Sequence, residues 1–443
     1  MILIKNGRVM DPATGTDGFM DILIDNGVIA RIGLVGSLDD MAKESWSLNG
    51  CLDGELGDGQ EGGIEEIDAA GLIVAPGLVD AHVHFRDPGF TEKEDIITGA
   101  NAAKAGGFTT VVMMGNTEPH MDNPDTMRYV YEKGMQTGIN VYACGNVTKG
   151  MEGRELTDME ELVRCGAVLF TDDGKPITDE AIMEEACKKA AELGKVISLH
   201  EEDPSFITEN GVNAGEAANG LGLTGSPRDA EISMVKRDIE LSKKTGAHIT
   251  IQHISTKEAV DMIREARKEN PGIHAEATPH HFTLTDSAVE KHGTMAKMNP
   301  PLRKEEDRLA IIEGLKDGTI ETIATDHAPH TKEEKAKEFA KAPSGIIGLE
   351  TSLGLGIREL VHKGHLSLMT LLERMTICPS LIYGLPSGRI MEGAQADLVI
   401  FAENETKLFD KFESKAENSP FKGEELPGKV HYTICNGQIV YRG

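Results

Sequence analysis

Residues 77–87 read GLVDAHVHFRD. The first half is apolar and branched, as a buried strand requires, and the run stops at two histidines and an arginine. Alternate side chains of a strand share a face, so His82, His84 and Arg86 are expected on one side. Two neighbouring imidazoles can grip a divalent ion, and an arginine can hold an anion beside it. A half-buried strand whose histidines are satisfied by hydrogen bonds carries the same pattern. The rest of the chain has to decide.

Seven further runs have this character: TTVVMMGN (109–116), INVYACGNV (139–147), GAVLFTDDG (166–174), KVISLHEED (195–203), HITIQHIST (248–256), IHAEATPHHF (273–282) and TIETIATDHAPH (319–330). Between them lie segments with apolar residues at helical spacing, such as DEAIMEEACKKAAELG (179–194) and PRDAEISMVKRDIELSKKTG (227–246). Each of these two ends in glycine, a common helix stop. Eight β-then-α units predict an α/β chain with a (β/α)8 TIM barrel over residues 76–387, its chemistry at the C-terminal ends of the strands. The open doubly wound sheet is the competitor, but no GxGxxG fingerprint follows residue 85.

The flanks read differently. MILIKNGRVM, DILIDNGVIARIG and IEEIDAAGLIVAP at one end, and ADLVIFAENE and KVHYTICNGQIVYRG at the other, are short strands broken by Asn-Gly and related turns. Residues 1–75 and 388–443 are therefore expected to build one small β-sandwich from both ends of the chain. An acidic, glycine-rich stretch near 36–63 reads as a surface insertion.

The apolar runs end in ligating groups. They supply His82, His84 and Arg86, then Asn116, Asp172 and Asp173, His200, His253, and finally Asp326, His327 and His330. Four histidines and two aspartates at one barrel face suit Zn2+, with Mn2+ or Co2+ as alternatives. Six ligands exceed the need of one catalytic zinc and point to two ions sharing a carboxylate. The six cysteines are scattered without a CxxC pair, which fits reduced thiols and a cytoplasmic setting. A net charge of −28 repels nucleic acid and anionic membranes, so an anionic substrate needs a local cation such as Arg86. No apolar run is long enough for a membrane span, and the first residues lack the features of a secretion signal.

PGLVDAHVHFRDPG, EDIITGANAAKAGGFTTVVMMGNTEP, FTDDGKPI, LHEED, QHIST, KMNPPLR and ATDHAPH together resemble the cyclic amidohydrolases, and within them the bacterial class I dihydroorotases. The resemblance runs over the whole barrel. It implies reversible, metal-dependent cyclisation of N-carbamoyl-L-aspartate to L-dihydroorotate, a step of pyrimidine biosynthesis. It also implies that His82, His84 and Asp326 hold one ion and His200 and His253 the other. Asp173 is assigned as the bridge, where many relatives carry a carboxylated lysine; Asp172 is its rival. Asp326 doubles as the catalytic proton carrier. His84, Arg86, Asn116, Asn299, His330, Ser344 and Gly345 become the substrate contacts, with Arg86 and Asn116 on the carboxylate. His280, His281 and His327 are read as structural.

Two other functions compete with this one. Dihydropyrimidinases, hydantoinases and allantoinases are relatives, but they usually keep the fourth-strand lysine, and a hydantoin or dihydropyrimidine ring needs no carboxylate clamp. An inactive scaffold for a partner enzyme would have lost ligand histidines. The partner expectations are a small-molecule substrate, a homo-oligomer and association with aspartate transcarbamoylase. The lysine-rich stretch 331–345 follows the last strand and reads as a mobile lid or a solvated helix.

Overall fold

The computed structural model describes residues 1–39 and 63–443. The acidic insertion expected near 36–63 lies almost entirely outside these residues. Strands Leu78–Val83, Phe108–Met113 and Asn140–Ala143 pair in parallel, as do Ile197–Leu199, Ile249–Ile251, Ile273–Ala277 and Thr322–Ile323. Single parallel bridges join the two groups. Phe170 links Gly145 to Ile197, and Val83 meets His327. The circle of eight is closed.

The fourth position of the barrel is thus one bridging residue rather than a strand across 166–174. The seventh strand is also shorter than its apolar pattern. It ends at Ala277, and Pro279–Thr283 form a short helix capped by the Thr278 side chain. Proline at the first helical position and a threonine cap are strong local helix signals, and they end the strand Ile273–Ala277 before it can run on to Phe282.

The long helices follow their expected punctuation. Glu180–Leu193 starts on the Asp179 cap and stops at Gly194 (φ 62°), and Asp229–Thr245 stops at Gly246 (φ 75°). Apolar residues between strands and helices form the main core, and Val79, Ala81, Val112, Met114, Cys144 and Leu169 fill a second cluster.

Strands from both chain ends share one eight-stranded sheet. Two of its hairpins turn on Asn26-Gly27 and Asn436-Gly437, all four residues at positive φ. That geometry matches strand twist and favours Asn-Gly. The sheet's apolar side gathers Ile4, Ile22 and Ile24 with Leu398, Ile400 and Ile434, so the two ends of the chain bury a common core. Among the described residues no helix is long and apolar enough to cross a membrane.

Candidate metal centre and active site

Three imidazoles at the barrel mouth, those of His82, His84 and His200, are each oriented by a neighbouring polar side chain. His82 Nδ1 donates to Glu276 Oε1 at 2.7 Å, and its Nε2 is buried without a hydrogen-bond partner. That nitrogen lies 3.6 Å from Asp173 Oδ1 and 3.5 Å from Asp326 Oδ1. His84 Nδ1 donates to Asn116 Oδ1 at 2.9 Å, leaving Nε2 3.0 Å from Asp326 and 3.4 Å from Asp173. His200 Nε2 faces Glu202 at 3.3 Å, so its Nδ1 turns to Asp173 at 3.5 Å and to His253 Nε2 at 2.9 Å. Backing groups of this kind fix the tautomer and aim the free nitrogen.

Asp173 sits among these rings, within 3.8 Å of His253 as well. Asp172 does not. Its carboxylate accepts the Val147 and Thr148 amides and the Thr148 hydroxyl, and burial pushes it up to about 6. The two adjacent carboxylates therefore differ completely in surroundings. Burial would raise Asp173 and Asp326, but the rings around Asp173, and the rings of His84, His82 and His253 around Asp326, hold both well below the usual carboxylate range. Burial would likewise lower His200, yet Asp173 and Glu202 raise it to about 10. Two sets, His82–His84–Asp326 and His82–Asp173–His253, have ligand atoms close enough to share an ion. With the orphaned His82 Nε2 and nitrogen-rich donors, they fit a divalent metal of the zinc type.

The backbone is strained here. Arg86 (φ 59°), His253 (φ 31°) and Asp326 (φ 48°) occupy the left-handed region, which side-chain-bearing residues rarely adopt. Arg86 therefore reaches the cavity by a left-handed turn after the strand, not by strand alternation as expected. Its guanidinium contacts Pro329 O at 3.3 Å and His330 Nε2 at 3.5 Å, and no carboxylate of the described residues pairs with it. Because Asn116 Oδ1 is taken by His84, its amide nitrogen is the donor left for a ligand.

The cavity measures about 300 Å3, and His84, Arg86, Asn116, Asp173, His200, His253, Asn299, Asp326, Ser344 and Gly345 all line it. His330 borders it through Arg86 and bonds Ser344 O at 2.8 Å, while the Ser344 hydroxyl donates to Asn299 Oδ1 at 3.0 Å. Burial and the Arg86 charge push His330 down to about 2, so it is neutral. His280 and His281 are buried behind the site on their short helix, with His281 bonded to Thr278 and Pro300. His327 is structural: its Nδ1 accepts the Gly348 amide at 3.2 Å and its Nε2 faces Glu94.

Several supporting groups escaped the sequence. Glu276 and Glu202 aim imidazoles, and Glu231 receives the amides of Ser255 and Thr256 just after His253. A carboxylate inside an apolar strand (Glu276 in IHAEA) was the available signal. Lys297 and Lys335 are each only 2% exposed. Their ammonium groups seat the 331–345 stretch by its carbonyls: Lys297 on Phe339 and Ala342 at 2.8 Å, Lys335 on Pro343 and Gly345 at 3.0 Å. Only Lys332–Lys335 is helical there, and the remainder is a loop pinned from below.

Burial, with Lys297 nearby, pushes Lys335 down to about 7 from the ordinary 10.5. Between those values the folded chain has released the proton while the unfolded chain still binds it, so this group makes stability rise with pH. Lys335→Met is expected to cost about 1–3 kcal/mol by leaving the Pro343 carbonyl without a donor and removing one of the two donors on Gly345 O. It should also remove that rise, read as melting temperature against pH from neutral to alkaline. Parallel curves for the two proteins would contradict the seat.

Comparison with known proteins bears on this arrangement. The family described as "Dihydro-orotase-like" matches residues 71–259. The chain is 55% identical over 441 residues to the dihydroorotase of Clostridioides difficile (strain 630), covering 100% of both. It belongs to the dihydroorotase family. The dihydroorotase of Lactococcus lactis subsp. lactis is 48% identical, with 100% of this chain and 99% of that one covered. Among solved structures, an L-hydantoinase from Arthrobacter aurescens superposes with a TM-score of 0.83 at 26% identity, covering 100% of this chain and 96% of that one. A D-hydantoinase from Thermus sp. shares the fold with a TM-score of 0.82, covering 100% and 95%. This dihydroorotase-family chain is a metal-dependent hydrolase of cyclic amides, a TIM barrel carrying a β-sandwich domain.

Proposed function

We propose that the chain interconverts L-dihydroorotate and N-carbamoyl-L-aspartate. The observation that carries the reading is Arg86: a cavity-lining guanidinium with no carboxylate partner among the described residues, beside a histidine–aspartate centre. A planar fork of donors matches the ring carboxylate in bidentate fashion. Asn116 adds a donor, Asn299 contacts the ring, and His330, Ser344 and Gly345 close the wall around it. The relatives of about half identity support the same substrate.

We assign His82, His84 and Asp326 to one Zn2+, His200 and His253 to a second, and Asp173 to the position between them; Mn2+ or Co2+ could serve in place of zinc. When bound, the metals supply Lewis acidity that makes water nucleophilic near neutral pH and polarises the ring carbonyl. Asp326, ionised and 3.0 Å from His84, takes the proton of the attacking water. As the ring C–N bond breaks, Asp326 delivers that proton to the departing nitrogen. In the biosynthetic direction the carbamoyl nitrogen loses its proton to Asp326 and water leaves. Arg86 holds the carboxylate throughout, so the reacting carbonyl stays in register with the centre. The reading extends to a cytoplasmic homo-oligomer associated with aspartate transcarbamoylase, which co-purification from cell extract tests.

The deciding experiment is steady-state turnover of L-dihydroorotate beside dihydrouracil, hydantoin and allantoin, with metal content measured on the same protein. Dihydroorotate alone should be turned over. Chelator treatment should abolish the activity and zinc restore it, with about two ions per chain at full activity. Preference for a ring without a carboxylate would favour the hydantoinase reading that the Arthrobacter aurescens likeness raises, and would sink this one.

A further inference from the structure

Residues 413–419 come from the C-terminal part of the chain but pack on the mouth of the barrel. The Glu413 and Ser414 amides donate to Glu350, and the Ser414 hydroxyl donates to Glu94. Asn418 is 2% exposed and uses every polar atom of its side chain. Nδ2 donates to Ala328 O at 3.0 Å and to Gly345 O at 3.1 Å, and Oδ1 accepts the His330 amide at 3.1 Å. Its own carbonyl accepts the Ile347 amide at 3.0 Å.

These bonds tie together the two loops that wall one side of the cavity. Ala328 and Gly345 line it, and Gly345 packs so closely that a Cβ there would meet Ala328 Cβ at 2.6 Å. Between Ala328 and His330 stands Pro329, whose carbonyl receives Arg86 Nε. The amide of Asn418 thus acts on the guanidinium through one loop. An aspartate of the same size offers no donors to two carbonyls, and alanine offers nothing.

We infer that Asn418 is a positioning residue for carboxylate recognition: it sets the spacing of the 328–330 and 344–347 loops and so aims Arg86 at the ligand. The inference rests on the proposed dihydroorotate reading. It means that the C-terminal portion of the chain completes the substrate pocket.

The test compares wild type, Asn418→Ala and Asn418→Asp on L-dihydroorotate, with zinc content, melting temperature and amide hydrogen exchange at Gly345–Ile347. Losing three buried hydrogen bonds that set a charged contact should raise KM about tenfold in the alanine variant, and more in the aspartate variant. A positioning role leaves kcat within about threefold, with zinc retained. Exchange at Gly345 and Ile347 should quicken. If the alanine variant does not fold, the aspartate variant, equal in volume, carries the comparison. Unchanged KM in an otherwise active enzyme would overturn the role of Asn418 alone, as would an equal loss of kcat accompanied by loss of zinc. A wild type inert on dihydroorotate would overturn the functional reading instead. The exchange rates then decide the Asn418 tie on their own, and unchanged rates would reject it.

Discussion

Asp326→Asn should lower kcat for dihydroorotate by about three to four orders of magnitude, because the group we assign to carry the proton from water to the ring nitrogen no longer can. Asparagine is the informative replacement. Residue 326 sits at φ 48°, a conformation that asparagine tolerates better than alanine, so the fold is disturbed least. The carboxylate that His84 Nε2 faces at 3.0 Å is replaced by a neutral amide of the same shape. Metal content must be measured alongside, since Asp326 is also a candidate ligand. Loss of activity with metal content unchanged from wild type assigns the defect to proton transfer. Retention of near wild-type kcat would remove Asp326 from the mechanism, whatever its distance from the histidines.

Arg86→Ala should raise KM for dihydroorotate by about a hundredfold or more, the cost of removing a charge-assisted bidentate contact from a partly buried cavity. Arg86→Lys should recover little. An ammonium is a point charge without the planar fork, and its stem cannot reproduce the Nε contact with Pro329 O. Burial already lowers the Arg86 pKa, but a guanidinium starts so high that it stays charged across the assay range. The readout is the ratio of kcat/KM for dihydroorotate over dihydrouracil, obtained for wild type and both variants. A carboxylate clamp predicts that the ratio collapses in both variants. A ratio that survives Arg86→Ala would show that the carboxylate is held elsewhere and would return the hydantoinase reading to contention.

How far the sequence could be read depended on how local each signal was. Asn26-Gly27 and Asn436-Gly437 specify their own turns, and Gly194 and Gly246 stop helices whose periodicity lies in the preceding residues. The histidines His82, His84, His200 and His253 each close an apolar run, so their convergence follows once eight such runs imply a barrel. Local signals failed where neighbours competed. IHAEATPHHF looked continuous, yet the Thr-Pro step at 278–279 ended the strand and began a helix. Asp172 and Asp173 are chemically identical in sequence, and only packing turned one to the rings and the other to the Val147–Thr148 amides.

By itself, then, the order of residues determined the alternation of strand and helix, the barrel, a small β-domain built from both chain ends, and the set of metal-type side chains at the strand ends. The elements follow from periodicity, turn chemistry and capping within a few residues, and the barrel from the count of eight alternating units. Tertiary structure decided which atoms of those side chains face one another. Glu276 meets His82 across 194 positions, and Asn418 meets Ala328 across 90. A buried polar atom must find a partner, and between distant segments only the packed fold determines which one it finds.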